Sequence, residues 1–424
     1  MKVVLASPLI APHVKQSVRA YYEAGLLQMF FSTFIQHPES KIARLLKKFI
    51  FLNKTLNRRD FDELPIQYFK GRPFPELIRS FSARSFGPIF TDFIWEWAEI
   101  SFDKWVSKQI SKSKPDIVHT YEHVALHTLR KASKEKIFSI YEQPSQHHSF
   151  LTPIIHSQIK KYPELHSSVS ALLINKKAKR RNERRDEELR LAHLILCNST
   201  FTKHTLILAG IKSEKIKVIP LAFPTPIQHK IKKNSTKPLR FLYAGNQSIR
   251  KGTHLLYEAW AICNLHPSQA ELFLIGSVNP SMLMGKSLRA NTIIKENMPH
   301  DELMDFYKTV DVLILPTLAD GFGMVISEAM SQGVPVIATE NSAGPDLIEH
   351  QKSGWIIPPN DIPSLVETIQ SIVLNSDSLA TFSTAALSKA KSWQWEDYRE
   401  GLVTTIRHEF KNFTENGHNQ LSIF

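Results

Sequence analysis

The chain has 424 residues, of which 42% are hydrophobic, and it contains 15 glycines and 24 prolines. This composition supports about two or three packed domains and excludes a low-complexity or fibrous protein. The formal net charge of +13 is uneven, because residues 1–224 carry 36 Lys and Arg against 20 Asp and Glu, whereas residues 225–424 carry 17 against 20. A basic half joined to a near-neutral half predicts two domains with different partners, the basic one facing an anionic surface.

Apolar runs and cysteines bear on where the protein resides. No apolar run in the sequence is long enough to span a bilayer. The first residues, MKVVLAS, are typical of a strand and lack the long apolar segment of a signal peptide. The two cysteines, Cys197 and Cys263, match no metal or redox spacing. We therefore expect a cytoplasmic protein, or one at the cytoplasmic face of the inner membrane.

The first half of the chain alternates short apolar runs with long basic segments. The predicted strands are residues 2–7, 26–33, 115–120, 136–142, 193–199 and 216–220. The segments between them include the basic stretches 41–59 and 175–185. Apolar runs of this length, without strict alternation, are typical of strands that are covered on both faces.

The second half shows the same pattern more clearly. Its predicted strands are residues 239–245, 271–277, 291–296, 311–317 and 334–340, with helix-like stretches at 252–263 and 301–310. Repeated strand–helix–strand units predict an α/β fold with two doubly wound Rossmann-like domains. The predicted divisions are an N-terminal domain at 1–222, a C-terminal domain at 223–395, a helix at 396–412 that packs back on the first domain, and a disordered tail at 413–424.

Two acids flank a glycine-rich loop in the stretch ADGFGMVISEAM. Asp320 precedes Gly-Phe-Gly, and Glu328 follows seven residues later, inside the helix that the loop begins. In a parallel sheet, such strand-to-helix loops lie at the carboxyl edge, where ligands bind. Free N–H groups at the helix start suit an oxygen-rich ligand, and carboxylates accept hydrogen bonds from hydroxyls. The loop therefore predicts a site for a sugar or a ribose.

A second loop, YAGNQSIRKG, follows the first strand of the same domain. Gly245 ends that strand, and Arg250 and Lys251 stand just before the next helix. Two cations beside a helix N-terminus suit a diphosphate. Together the two loops predict a site for a nucleotide-linked sugar.

These motifs resemble those of the retaining GT-B glycosyltransferases of family 4. That family's pattern is E-G-F-G, then E-A-M, then G-x-P-V, with seven residues between the two acids. Here the corresponding residues are Asp320-Gly-Phe-Gly, Glu328-Ala-Met and Gly333-Val-Pro-Val. The resemblance covers most of residues 215–400 and is looser in the first half. It implies a GT-B fold, in which two Rossmann-like domains face each other across a cleft.

The resemblance also implies roles for individual residues. Glu328 would bind the ribose hydroxyls, and Asp320 would contact the transferred sugar. Lys251 and Arg250 would hold the diphosphate, which makes Lys251, Asp320 and Glu328 the candidate catalytic residues. The expected donor-binding set is Gly245, Asn246, Arg250, Lys251, Asp320, Gly321, Phe322, Gly323, Met324 and Glu328. Two departures stand out, because Asp320 replaces the family's Glu and Asn246 replaces an Arg that many relatives carry.

The function implied by this resemblance is transfer of a sugar, with retention, from a nucleotide sugar to a hydroxyl acceptor. The expected acceptor is a glycan or lipid-linked glycan in surface polysaccharide synthesis, with no cofactor and no metal. Two alternatives remain open: a nucleotide-sugar 2-epimerase of the same architecture, and a non-catalytic nucleotide-sugar-binding protein. No nucleic-acid recognition motif is present.

Histidines in the first half are candidates for the acceptor side of the cleft. His119 is placed at the end of a predicted strand, with His123 and His127 after it at a spacing of four residues. The resemblance also places a histidine near the donor sugar, which makes His147 or His148 a candidate. Metal binding by the first three histidines is disfavoured, because His119 ends a predicted strand and only His123 and His127 are predicted to be helical. Metal binding by the Asp60–Asp62 stretch is disfavoured, because such a tripeptide is common by chance.

Basic segments of the first half suggest contact with an anionic membrane. Residues 176–185 contain seven Lys and Arg, and residues 44–54 mix basic and apolar side chains. Such mixtures are typical of interfacial segments, although a solvated helix face gives the same pattern.

Overall fold

Two parallel sheets organise the molecule. The structure is a computed structural model that describes residues 1–37, 39, 59–167, 175–228 and 238–421. In each sheet the first strand lies in the interior, and the chain adds strands on one side before crossing to the other. This arrangement places a topological switch point beside β1 in the first sheet and beside β8 in the second.

The first sheet has seven strands in the order β3-β2-β1-β4-β5-β6-β7, with every pairing parallel. Its strands are β1 (Val3–Ala6), β2 (Leu27–Ser32), β3 (Phe69–Gly71), β4 (Ile117–Tyr121), β5 (Phe138–Gln143), β6 (Leu194–Cys197) and β7 (Ile216–Val218). Its helices are α1 (Pro12–Glu23), α2 (Pro73–Ser85), α3 (Pro88–Ser113), α4 (Leu126–Lys134), α5 (His148–Lys161), α6 (Lys176–Leu191) and α7 (Thr200–Leu208). β1, β4, β5 and β6 are buried along their whole length, as the apolar runs predict.

The second sheet has six strands in the order β10-β9-β8-β11-β12-β13, also parallel throughout. Its strands are β8 (Leu239–Ala244), β9 (Ala270–Ile275), β10 (Thr292–Lys295), β11 (Val312–Leu315), β12 (Val336–Thr339) and β13 (Gly354–Ile357). Its helices are α8 (Thr253–Cys263), α9 (His300–Tyr307), α10 (Met324–Ser331), α11 (Gly344–Leu347), α12 (Ile362–Leu374) and α13 (Leu379–Lys391). The predicted α/β class with two Rossmann-like domains is confirmed.

The last helix, α14 (Trp395–Leu421), returns to the first domain. The Tyr398 hydroxyl lies 2.9 Å from the Ser17 hydroxyl, and Arg399 donates to Gln16 at 2.7 Å. The helix extends to residue 421, nine residues past the point where the sequence predicts that it ends.

Candidate functional site

The candidate site lies at the switch point of the second sheet. β8 pairs with β9 on one side and with β11 on the other. The loop after β8 (residues 245–252) and the loop after β11 (residues 316–323) therefore leave the sheet side by side at its carboxyl edge. Ligands of open α/β sheets bind in the crevice between two such loops.

Backbone contacts tie these two loops together. The carbonyl of Arg250 accepts hydrogen bonds from the Leu318 N–H at 2.8 Å and the Thr317 hydroxyl at 2.9 Å. Gly252 adopts a positive φ of 67°, and a Cβ at this position would overlap the carbonyl oxygen of Pro316. Only glycine allows this approach without strain. The two loops therefore behave as one preorganised unit.

Asp320, Lys251 and Arg250 form an ion cluster within this unit. The Lys251 ammonium pairs with one oxygen of Asp320, and Arg250 Nη1 lies 3.1 Å from the other. Only 13% of the Asp320 side chain and 18% of the Lys251 side chain are exposed. Burial opposes ionisation of Asp320, but the charges of Lys251 and Arg250 outweigh it and lower the pKa of the carboxyl. The structure thus brings three predicted site residues into direct contact.

The glycine-rich loop touches the first domain. The Ser199 hydroxyl donates to the Gly321 carbonyl, and the Thr202 hydroxyl does so at 3.2 Å. A Cβ at position 321 would overlap the carbonyl oxygen of Pro144, which belongs to the loop after β5. Among the described residues, no protein acceptor receives the N–H groups of residues 321–323. The loop therefore closes the cleft while its donors stay available to a ligand.

Glu328 occupies a separate, buried corner on α10. Its carboxylate accepts a hydrogen bond from the Tyr307 hydroxyl at 3.2 Å and lies 3.2 Å from His300 Nε2. The hydrogen bond with Glu328 raises the pKa of His300, so the imidazole carries charge more readily beside this carboxylate. Sequence analysis missed both partners, since His300 and Tyr307 bracket an ordinary amphipathic helix, α9, and carry no motif.

The remaining predicted donor residues line the same edge. Asn246 is exposed, and its side chain accepts a hydrogen bond from the Ser277 hydroxyl at 2.9 Å. Gly245 precedes Asn246 and follows the last residue of β8. The Gly245 N–H donates to the Ile275 carbonyl. Phe322 is buried, and Met324 is the first residue of α10. Because its ring is buried, Phe322 offers a ligand only its backbone.

A cavity of about 240 Å³ lies at the switch point of the first sheet. Its wall comprises Ser7, Pro8, Leu9, Ala11, His13, Val14, Thr33, Pro75, Glu76, Arg79, Trp95, Ala98, Glu99, Tyr121, Glu122, His123, Val124 and Pro144. Buried Nδ1 atoms of His13 and His123 have no hydrogen-bond partner among the described residues. Pro144 also packs against Gly321, so the cavity adjoins the donor loop. Sequence analysis missed this cavity, because its wall comes from segments distant in the chain.

His119 does not line the cleft, contrary to the sequence-based prediction. It is the middle residue of β4, not the strand end, and its side chain is fully buried. Its Nδ1 lies 2.9 Å from the Tyr21 hydroxyl, and its Nε2 lies 3.1 Å from Glu142. β4 continues to Tyr121, because the Thr-Tyr pair after His119 keeps strand pairing with β5. His123 follows in a turn with φ 77°, and only His127 lies in α4.

His147 and His148 lie where the loop after β5 enters α5. Their Nε2 atoms are 3.0 and 2.6 Å from the same oxygen of Asp186. This trio is the one group of at least three His, Cys, Asp or Glu side chains, within the described ranges, that is close enough to hold a metal ion. The imidazoles therefore face Asp186 on α6 in the first domain, while Pro144 of the same loop faces Gly321. Asp60 and Asp62 are exposed and lie outside any such group.

The basic run 176–185 packs on α3. Lys177 and Arg181 pair with Asp92, and Arg184 lies 3.3 Å from Glu99. Arg185 pairs with Glu122 beside the cavity. Four of the seven cations in this run thus have acidic partners within the first domain, so the run is mainly a structural face. The other basic segment, residues 44–54, lies outside the described residues.

Comparison with known proteins agrees with this architecture. Residues 225–389 match the family model described as "Glycosyl transferases group 1". The amylovoran biosynthesis glycosyltransferase AmsK of Erwinia amylovora is 26% identical over 212 residues, which are 47% of this chain and 52% of AmsK. The match thus spans about half the length of this curated relative.

Solved structures resemble the whole molecule. Anabaena HepE, solved in complex with UDP, superposes with a TM-score of 0.60 and 16% identity over 96% of this chain and 100% of its own. The apo form of the lipopolysaccharide outer core galactosyltransferase WaaB superposes with a TM-score of 0.60 and 16% identity. This alignment covers 98% of this chain and 100% of WaaB. At this identity the likeness concerns the fold, which is the GT-B fold that the sequence predicts. The residues that match the glycosyl transferases group 1 model lie almost entirely within the second domain.

Proposed function

We propose that the protein is a retaining glycosyltransferase of family 4 that transfers a sugar from a nucleoside-diphosphate sugar to a hydroxyl acceptor. The observation that carries the proposal is the partly buried cluster of Asp320, Lys251 and Arg250 on two loops that are hydrogen-bonded to each other at the switch point. A carboxylate beside two cations suits a ligand that has sugar hydroxyls next to phosphates. The group 1 family match of the second domain supports the same assignment.

The donor fits the site in three parts. Lys251 and Arg250 bind its diphosphate, and Asp320 already holds both cations at the carboxyl edge of the sheet. The transferred sugar forms hydrogen bonds with Asp320 and with the N–H groups of residues 321–323. The ribose hydroxyls donate to the Glu328 carboxylate, whose orientation is fixed by Tyr307 and His300. UDP bound to the structurally similar HepE supports a nucleotide at such a site.

The proposed reaction breaks the bond between the anomeric carbon and the diphosphate oxygen. Negative charge develops on the diphosphate and positive charge on the sugar ring. Lys251 and Arg250 stabilise the first and Asp320 the second, without reorganisation, because the loops are already bonded together. The acceptor oxygen bonds to the anomeric carbon on the face that the diphosphate leaves, and its proton passes to the departing phosphate. The protein then needs no separate base.

The acceptor is assigned to the 240 Å³ cavity of the first domain, which meets the donor loop at Pro144 and Gly321. Its wall combines apolar groups such as Leu9 and Trp95 with the polar groups of His13 and His123. Mixed walls of this kind suit a sugar or an amphipathic glycan carrier. AmsK supports surface polysaccharide synthesis as the setting. A cavity for a second substrate also favours a transferase over a 2-epimerase, which needs no acceptor.

A thermal-shift screen of nucleotide sugars tests the proposal on wild type and Glu328→Ala. One donor is expected to raise the melting temperature of wild type and to lose this effect in the variant. Incubating that donor with candidate acceptors then tests transfer, and NMR of the product anomer tests retention. If no nucleotide sugar stabilises wild type, the donor site is wrong. If the donor isomerises without an acceptor, the protein is an epimerase.

A further inference from the structure

Helices α2 and α3 form a hairpin whose outer surface carries large exposed rings. We call Phe74, Phe81, Phe86, Phe90, Phe93 and Trp97 the aromatic strip. Each of them has 40–66% of its surface exposed to solvent. Isolated exposed apolar residues are ordinary in folded proteins, but a contiguous group of this size marks an interaction surface.

The rings of the strip form one continuous face. Phe90, Phe93 and Trp97 are spaced at i, i+3 and i+7 on α3, which places them on one side of the helix. Phe86, in the turn between the helices, contacts Phe90 with ring centroids 4.6 Å apart and Phe81 of α2 at 6.3 Å. The strip thus runs along α3, through the turn and onto α2.

Acids of the hairpin near the strip are paired with cations. Asp92, Glu96 and Glu99 pair with cations of α6. Glu76 pairs with Arg59 and Arg79, inside the protein. Carboxylates on the hairpin therefore do not oppose an apolar, anionic partner at the strip.

Unpaired cations flank the strip on α6. Lys176, Lys179 and Arg180 are exposed and have no ion-pair partner among the described residues. The neighbouring Lys177 ammonium lies 5.4 Å from the centre of the Phe93 ring, which shows that α6 and the strip are adjacent. An aromatic face beside a row of cations is the pattern of surfaces that bind anionic bilayers, where rings enter the headgroup region and cations meet lipid phosphates.

We propose that the aromatic strip and the α6 cations dock the protein on the surface of an anionic lipid bilayer. Within the described ranges, no helix has the length and apolar content to cross a bilayer, so the contact is peripheral. A second copy of the chain fits this face less well, because the contact would bring two rows of α6 cations together. Each copy would also contribute a first half with 36 basic and 20 acidic residues, so like charges would repel.

Docking through this face places the cavity beside the lipid. The hairpin that carries the strip also lines the cavity, through Pro75 and Arg79 of α2 and Trp95 and Ala98 of α3. A helix is about 10 Å across, so the cavity lies within roughly that distance of the headgroups. If the proposed transfer reaction holds, this geometry favours a lipid-anchored acceptor. The docking itself does not depend on that reaction.

Vesicle co-sedimentation with the full-length protein tests the docking. Wild type is expected to sediment with vesicles of phosphatidylcholine and phosphatidylglycerol, more weakly with phosphatidylcholine alone, and less as salt rises. The variant Phe86→Ser/Phe90→Ser is expected to bind about tenfold more weakly or worse, because a buried Phe side chain contributes about that factor. Lys176→Glu/Lys179→Glu is expected to weaken binding to the anionic vesicles only.

The matched control is Ile262→Ser/Leu374→Ser, which removes two exposed apolar side chains from the second domain. It is expected to bind like wild type, and thermal unfolding shows that each variant is folded. Wild type that stays in the supernatant, or a Phe variant that binds as wild type does, overturns the proposal. So does a wild-type dimer in sedimentation velocity that the Phe substitutions dissociate, since the face would then join two copies.

Discussion

The carboxylate of Asp320 and the ammonium of Lys251 form an ion pair between two loops that are 69 residues apart in the sequence. The pair joins the loop after β8 to the loop after β11, at the point where the strand order reverses. Because both groups are mostly buried, each holds the other charged in a place where an isolated charge would be costly. A phosphate arriving at Lys251 therefore meets a cation already fixed in position.

Replacing Lys251 by Met should lower the rate of sugar transfer about a hundredfold or more, because loss of one preorganised charge costs about that factor. The measurement is kcat with the donor found by the thermal-shift screen. Lys286→Met is the control, since Lys286 is an exposed lysine of the same domain and should keep wild-type activity. Equal kcat values for the two variants would contradict a role for Lys251 on the diphosphate.

Replacing Asp320 by Asn should make stability depend on pH in a predictable way. The lowered pKa of Asp320 means that its ionised form stabilises the folded state. This contribution is fully present above the unfolded pKa, about 3.9, and is lost as pH falls through the lower folded value. The melting temperature of wild type should therefore exceed that of Asp320→Asn at neutral pH, and the gap should close in acid. A gap that does not change between neutral and acidic pH would be incompatible with the buried pair.

The fold was largely predictable from the sequence, but the contacts of the site were not. Continuous apolar runs identify the interior strands, whereas β3 and β13 escaped notice as three- and four-residue strands at the sheet edges. The two loops of the candidate site were located correctly because glycines, cations and acids follow strands in the sequence. His300 and the cavity were not, since both depend on which distant segments the fold brings together. His119 was misplaced because a polar side chain can either end a strand or lie buried within it. The contact with Glu142, which makes burial of His119 possible, cannot be read from the sequence.

The contact between His300 and Glu328 predicts a measurable change in histidine titration. The hydrogen bond that His300 donates to Glu328 raises the pKa of His300. Protonated His300 therefore stabilises the folded state below the unfolded pKa, about 6.5, and this contribution is lost as pH rises through the raised folded value. In Glu328→Gln, the His300 pKa measured by NMR should fall toward its ordinary value. A His300 pKa equal in both proteins would rule out the pairing in solution.

Closure of the cleft predicts that Gly321→Ala impairs catalysis more than folding. The added Cβ would overlap the Pro144 carbonyl, so the loop or the first domain must shift, and a displacement of about 1 Å can cost a hundredfold in rate. We expect kcat to drop by about that factor while the donor still raises the melting temperature, because Lys251 and Glu328 belong to the loop after β8 and to α10, outside the segment that the added Cβ displaces. The control is Gly401→Ala in α14, where a Cβ meets only the Trp393 ring at 3.6 Å. Wild-type kcat in Gly321→Ala would mean that catalysis does not require this contact between the domains.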